Sequence, residues 1–583
     1  MDMTGDVQGV ERDRSSRVGS ADVRGGSTGE QTGRRRRFPL LRRDFVHLLC
    51  TTGVGVAAVG AGTGQVTAAD SGPGEMTAAV DSTEQFKARQ QRRQRAYQLR
   101  QQAALTNTVK RPFTPHPTNG DEDRYSARFA TFSKGLPHDE LGEVDRDAYA
   151  ALVAALEQRE SFEVVPLGGR RLLENPEAAH SYSVSGYDPH DVYIGAPPAF
   201  DSAEAAAEMV ELYWLALLRD VPFAAFDEDP LAATAMAELS GLDGYDRPMQ
   251  DGQITAQTLF RGGLPGSLRG PYVSQFLYTD VPRGLYRHDQ RARVAATGTD
   301  YLVDYDDWLA NQNGELPLEA ERVGDERYLI TPRDLATYVH RDVPHQAYLA
   351  AALVLLNAGI PLDAGNPYRD STVQSSFVDF GVIDLTSAVT GVVLAAQHAN
   401  WYHKWLVHRR LRPEAFGGRL HNHLTGRASY PIHSQLLESV AVARTYEQFG
   451  SYLLPQAYPE GAPLHPSFPA GHAGLAGACV TVLKAYFDDD APFPDPVHPT
   501  GDGSALVPYD GTLTVGDELD KLAENMCLGR NCAGIHYWTD ALLGLRLGEE
   551  VATGWIRDRL QSMGTPGRLS FTSFDGERVT IQP

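Results

Sequence analysis

The chain has 583 residues, 42% of them hydrophobic, and a formal net charge of −22. That is enough apolar material for a sizeable core, and the acidic balance excludes nucleic-acid binding over the whole surface. Only six of the 53 basic residues are lysine; an acidic, lysine-poor surface suits a halophile, although a GC-rich genome also favours arginine.

Residues 1–80 are rich in Gly, Ser, Thr and Arg and are expected to lack a packed core. Within them, LLRRDFVHLLCTTGVGVAAVGAG places Arg42 and Arg43 before Phe45 and a short, glycine-rich apolar stretch. That is the form of a twin-arginine export signal, and it predicts an extracellular or envelope-associated protein with no stable membrane insertion. A disordered basic tail is the plainer alternative. From about residue 84 the pattern turns helical. EQFKARQQRRQRAYQLRQQAALT is a long polar helix, and DAYAALVAALEQ, AEAAAEMVELYWLALLRD, HQAYLAAALVLLNAG, LTSAVTGVVLAAQHANWYHKWLVHRRL and LLESVAVARTYEQFG carry apolar residues three and four apart. Alternating strands are scarce, and long Pro/Gly/Asp-rich connections run through 254–300 and 488–512. These features predict a mainly α fold of helical bundles with long loops, in one domain over 84–583 behind the leader 1–80. Cys50 lies in the leader. The remaining Cys479, Cys527 and Cys532 give neither a disulfide framework nor a zinc site.

Three late segments carry chemistry. KWLVHRRLRP holds Lys404 and Arg412, HPSFPAGH holds His465, Gly471 and His472, and GRNCAGIHYWTD holds Arg530, His536 and Asp540. Taken singly, each has a bland explanation in a charged helix end, a capping histidine or a surface carboxylate. Together they describe an oxyanion pocket. Three fixed cations surround the anion, and Gly471 lets a helix N-terminus approach it. His472 is placed to move a proton. His536 is placed to attack or coordinate the central atom, and Asp540, four residues on, is expected on the same helical face, holding the other imidazole nitrogen. The remaining histidines nearby, His403, His408, His421, His423 and His433, make no zinc spacing; of them His408 is the best supporting candidate.

These segments resemble the signature of the vanadium-dependent haloperoxidases and the related acid phosphatases of the phosphatidic-acid-phosphatase type 2 superfamily. The family pattern Lys…Arg-Pro, Pro-Ser-Gly-His, Arg…His…Asp reads here as Lys404…Arg412-Pro413, Pro469-Ala470-Gly471-His472 and Arg530…His536…Asp540. Seven residues separate Lys404 from Arg412, as in algal bromoperoxidases and one more than in the phosphatases. FSKGLPHDELGEVD, TLFRGGLPGSLRGPYVSQFL and KWLVHRRLRPEAFGGRLHN also look like algal bromoperoxidase segments. The resemblance implies two four-helix-bundle-like units and vanadate as the prosthetic anion. It makes His536 the axial ligand, with Lys404, Arg412, Arg530, His472 and the Gly471 N–H around the anion's oxygens. His472 is then the general acid/base, Lys404 polarises the bound peroxide, and His465 stands near the reacting centre. The implied reaction is oxidation of halide, bromide first, by hydrogen peroxide to a hypohalous-acid equivalent that halogenates small organic molecules, in a homo-oligomer. An acid phosphatase with His536 as nucleophile and a non-catalytic anion binder are the alternatives. The sequence departs from the pattern at Ala470, where the family serine would bond the anion; loss of that bond costs about 1–3 kcal/mol unless water or Ser467 replaces it. Trp401, three residues before the lysine, resembles the fungal chloroperoxidases instead, or is a core aromatic.

Overall fold

The protein is described by a computed structural model over residues 83–110, 115–317 and 320–583. The leader, with its twin arginines, lies outside the described residues. In chain order the helices are α1 Thr83–Lys110, α2 Asp121–Arg124, α3 Arg146–Glu157, α4 Ala203–Leu217, α5 Pro230–Ser240, α6 Tyr305–Gln312, α7 Pro332–Arg341 and α8 Gln346–Ala358. There follow α9 Val382–Tyr402, α10 Pro413–Leu424, α11 Ser434–Leu437, α12 Val440–Phe449, α13 Gly471–Tyr486, α14 Val515–Cys532 and α15 Trp538–Ser562. The strands form antiparallel pairs: β1 Val281–Arg283 with β2 Tyr286–His288, β3 Ala292–Ala295 with β4 Val323–Arg327, β5 Val497–Pro499 with β6 Leu506–Pro508, and β7 Leu569–Thr572 with β8 Arg578–Ile581.

Helix boundaries follow capping chemistry. Asp145, Ser202, Asp229 and Thr514 accept first-turn N–H groups of α3, α4, α5 and α14. Thr331 and Asp334 close a reciprocal capping box on α7, with Pro332 at its first position. The segment read as one helix, LLESVAVARTYEQFG, is two: α11 stops at Leu437, and Ser439 caps a new helix at Val440. A serine side chain bonding a backbone N–H outcompetes continuation of the helix there.

Helix α13 stands at the centre of a bundle with α9, α14 and α15, and α4 packs with α5, α11 and α12 beside it. Apart from His472, every residue of α13 is buried. The crossing of α13 and α15 is set by glycine. A Cβ on Gly548 would stand 2.1 Å from the Gly474 carbonyl oxygen, and one on Gly477 would stand 2.1 Å from that of Leu545. Gly474 itself faces the Asn400 amide, which a Cβ there would meet at 2.2 Å. Val382–His408 is long and apolar enough to cross a membrane by composition, but Leu385, Ala388, Val389, Val392, Ala396 and Ala399 are buried in the core, where α9 packs on α13 and α15.

Helix α9 does not end cleanly. It widens into a π-helical turn over His403–His408 and stops at Arg409, whose φ of 40° is left-handed. Arg409 is held in that strained conformation by Glu122, Glu157 and the Trp405 carbonyl. The chain then restarts as α10, with Arg412 as its N-cap and Pro413 at N1. This break turns Lys404 and Arg412 toward one place from two successive elements.

Candidate active site

Arg412 is the hub. It is fully buried and donates from Nε to the His465 carbonyl at 2.9 Å and from Nη1 to the Ile535 carbonyl at 2.8 Å. Nη1 also lies 2.9 Å from His536 Nε2, and Nη2 lies 3.0 Å from His465 Nδ1. Lys404 Nζ donates to the Pro466 and Ser467 carbonyls at 2.7 and 2.9 Å. Arg530, on the last turn of α14, donates to the Val339 carbonyl at 3.0 Å, while its buried Nε has no partner among the described residues. None of the three cations has a carboxylate in ion-pairing distance among the described residues. Burial and the Arg412 charge push Lys404 well below its ordinary pKa, and burial lowers Arg412 to about 10.

His536 Nδ1 is 2.9 Å from Asp540 Oδ2, which fixes the ring and turns Nε2 toward Arg412. The pairing is not that of two residues on one helical face. Helix α15 begins at Trp538, so His536 precedes it. Asp540 sits in the first turn, also accepting the Tyr537 N–H at 3.2 Å. A carboxylate at that position reaches back over the helix start, as in a capping motif. Asp540 is fully buried, not a surface carboxylate, and Oδ1 accepts from Arg410 Nη1 at 2.6 Å. Burial opposes its charge, but Arg410, His536 and the Ser467 hydroxyl hold the carboxyl well below the usual carboxylate range. His536 is pushed well below its ordinary pKa by burial and by Arg412, and His465 by burial, Lys404 and Arg412. Both rings stay neutral, lone pairs available, in a cradle of positive charge.

Helix α13 begins at Gly471, with Ala470 as N-cap and no side-chain cap. The Ala470 N–H donates to the Asp540 carbonyl at 2.9 Å, which joins the starts of α13 and α15. A Cβ on Gly471 would meet Gln397 Oε1 at 3.4 Å and the Trp401 ring at 3.5 Å. His472 Nε2 lies 3.2 Å from Asp342 Oδ1, at the end of α7, and the side chain is partly open to solvent. Trp401 packs on His465 with ring centroids 5.0 Å apart and donates from Nε1 to the Glu174 carbonyl at 3.0 Å.

The structure thus brings Lys404, Arg412, His465, Arg530, His536 and Asp540 together and places Gly471 at a helix start facing Trp401. Two further expectations change. Ser467 cannot replace the missing hydroxyl at 470, because its own is given to Asp540. His408 supports no cradle residue by a hydrogen bond: it packs edge-on against Phe468 and stacks near His403, and neither ring nitrogen has a partner among the described residues. Sequence reasoning missed Arg410, Glu208 and Asp342. Arg410 was visible in RRLRP, but its partners lie 130 and 202 residues away, beyond any local spacing.

A family profile described as VCPO second helical-bundle domain matches residues 385–563, which contain every residue of the cradle. A vanadium-dependent bromoperoxidase of Ascophyllum nodosum is 36% identical over 481 residues, covering 78% of this chain and 86% of that protein. One of Corallina officinalis is 32% identical over 562 residues, covering 80% of this chain and 92% of its own. The homohexameric structure of the second vanadate-dependent bromoperoxidase from Ascophyllum nodosum superposes with a TM-score of 0.81 at 30% identity, covering 89% of this chain and 94% of that one.

Proposed function

This chain belongs to the vanadium-dependent bromoperoxidase family, an enzyme family that oxidises halide with peroxide, and from that premise we propose that it binds vanadate in the cradle around Arg412 and oxidises bromide. The observation that carries the reading is the electrostatic one. Three buried basic side chains face two neutral imidazoles, none of the three has a carboxylate in ion-pairing distance among the described residues, and Arg530 Nε has no partner among them. Uncompensated buried charge of this size is costly unless a polyanion enters.

Lys404, Arg412 and Arg530 would hold the anion's oxygens, with the Gly471 N–H at the helix start, and His536 would offer its Nε2 lone pair to the central atom. Bound there, vanadate supplies a Lewis-acidic centre that activates peroxide while vanadium stays at +5. The chain's part is positioning and proton transfer. Asp540 holds His536 Nδ1, so the lone pair at Nε2 is fixed in direction. Asp342 holds His472 Nε2, leaving Nδ1 to take the proton that peroxide loses and to return it to the product. The cradle side chains are buried, and His472, with a side chain 23% exposed, is the one partly open to solvent.

The test is direct. Purified protein loaded with vanadate is given peroxide, bromide and a brominatable dye. A second sample, without vanadate, is given an aryl phosphate. Bromination that excess phosphate abolishes is expected; phosphate release alone would make the protein a phosphatase, and neither activity a non-catalytic anion binder. His536→Ala is expected to lose vanadate on dialysis, and unchanged retention would remove His536 from among the residues that hold it.

Export and assembly complete the proposal. The support for export is the twin-arginine stretch of the leader. The support for a homo-oligomer is α1. Seven cations stand on it against Glu84 alone, and residues 84–95 are all exposed, whereas the chain as a whole carries −22. A basic helix that its own acidic body leaves uncovered suits an acidic neighbour of the same kind.

A further inference from the structure

A cavity of about 410 Å³, linked to His472 through Asp342, is walled by the β1–β2 hairpin, the start of β3 and the C-terminal end of α7. We propose that it binds the organic substrate, and that the substrate class is a small aromatic acid: an electron-rich ring carrying a carboxylate. This deepens the bromide-oxidising reading and rests on it.

Size and place come first. The volume is that of a small-molecule site. The wall includes Asp342, the residue that hydrogen-bonds His472 at 3.2 Å. A guest in the cavity is therefore one side chain from the residue that moves the proton. Charge comes second. Arg283, Arg291, Arg293 and Arg341 line the cavity. Arg291 is paired with Asp289 and Arg341 with Glu321, but Arg283 and Arg293 have no ion-pair partner among the described residues. On a chain of −22, two unpaired guanidiniums on one wall mark the place where an organic anion is welcomed and not repelled. Val281, Ala350 and the half-buried Tyr338 add an apolar wall for a ring. The chemistry balances. The ring carbon forms its C–Br bond as the O–Br bond of hypobromous acid breaks, and the departing hydroxide leaves as water with the ring proton. The site's contribution is to hold the ring beside the Asp342–His472 pair.

The experiment is calorimetric titration of the full chain, at low ionic strength, with 4-hydroxyphenylacetate and with its neutral amide. Wild type is compared with Arg283→Glu/Arg293→Glu and, in case charge reversal unfolds the hairpin, with Arg283→Gln/Arg293→Gln. The acid is expected to bind wild type at least tenfold tighter than the amide, and both variants to lose that difference. The bromide KM, measured with a neutral trap, is expected to stay unchanged. Equal binding of acid and amide, or full acid affinity in both variants, overturns the proposal. So does a rise in bromide KM with acid binding intact, which would make the wall a halide-gathering surface. Absence of bromide oxidation in wild type would sink the functional reading by itself, since the titration needs no turnover.

Discussion

Arg410 and Arg412 are two residues apart, both buried, and opposite in electrostatics. Arg410 Nη1 meets Asp540 and Nη2 meets Glu208 at 2.6 and 2.7 Å, with the guanidinium 3.8 Å over the Tyr537 ring. Burial works against its charge, but the two carboxylates win and raise its pKa. Arg412 meets carbonyls and imidazoles, and burial lowers it to about 10. The first arginine is neutralised within the fold; the second is left in want of an anion. A buried cation is therefore structural or ligand-binding according to whether the fold gives it a carboxylate.

The contrast breaks most sharply under mutation. Arg410→Met leaves Asp540 and Glu208 buried and unpaired and is expected to cost about 3–5 kcal/mol, read as a large fall in thermal midpoint. Arg412→Gln removes an uncompensated charge and is expected to leave the melting temperature level or raised, while bromide oxidation falls by about 10² or more. Equal destabilisation by both would erase the distinction. Next in size is the response to anions. Phosphate or vanadate at about a hundred times its dissociation constant is expected to stabilise the native chain by about 2.7 kcal/mol. Arg412→Gln should lose that thermal shift, and its persistence would place the anion elsewhere.

Smaller is the effect of restoring a hydroxyl at the start of α13. Ala470→Ser is expected to tighten vanadate retention by about 1 kcal/mol, measured by dialysis. No change would mean that the helix start already satisfies the anion. Smallest is a pH effect at an ordinary paired site, which serves as the control. Burial would raise Glu460, but its hydrogen bond to His340 and the charge of that ring lower it to about 2. A depressed carboxyl contributes stability that is present above its unfolded pKa and lost as pH falls from about 4.5 toward 2. Glu460→Gln is expected to flatten the stability curve in that window, and an unchanged acid limb would place the titration elsewhere.

Legibility in the sequence differed by element. Helices α3, α4 and α8 follow their apolar periodicity to within a few residues, because burying one stripe needs only local spacing. Helix α1 is legible as a helix, but its exposure is not, since a polar pattern does not say what lies opposite. The break after Tyr402 was missed: KWLVHRR continues a helical pattern, and its π turn is imposed by the partners that hold Arg409. The same holds for His536 and Asp540. Their spacing suggested a helix face, and the helix start at Trp538 makes the pairing a reach across a cap instead.

From its residues alone the chain determined its helical character and the three short segments whose order and spacing carry the site, because periodicity, capping and motif spacing act within a few residues. Tertiary structure alone decided which cations meet carboxylates and which do not. It also decided that Gly477 and Gly548 serve a helix crossing, and that Asp342 joins His472 to an open cavity. The physical reason is that charge compensation in a low-dielectric interior depends on distance in space, and partners more than a hundred residues apart leave no pattern along the chain.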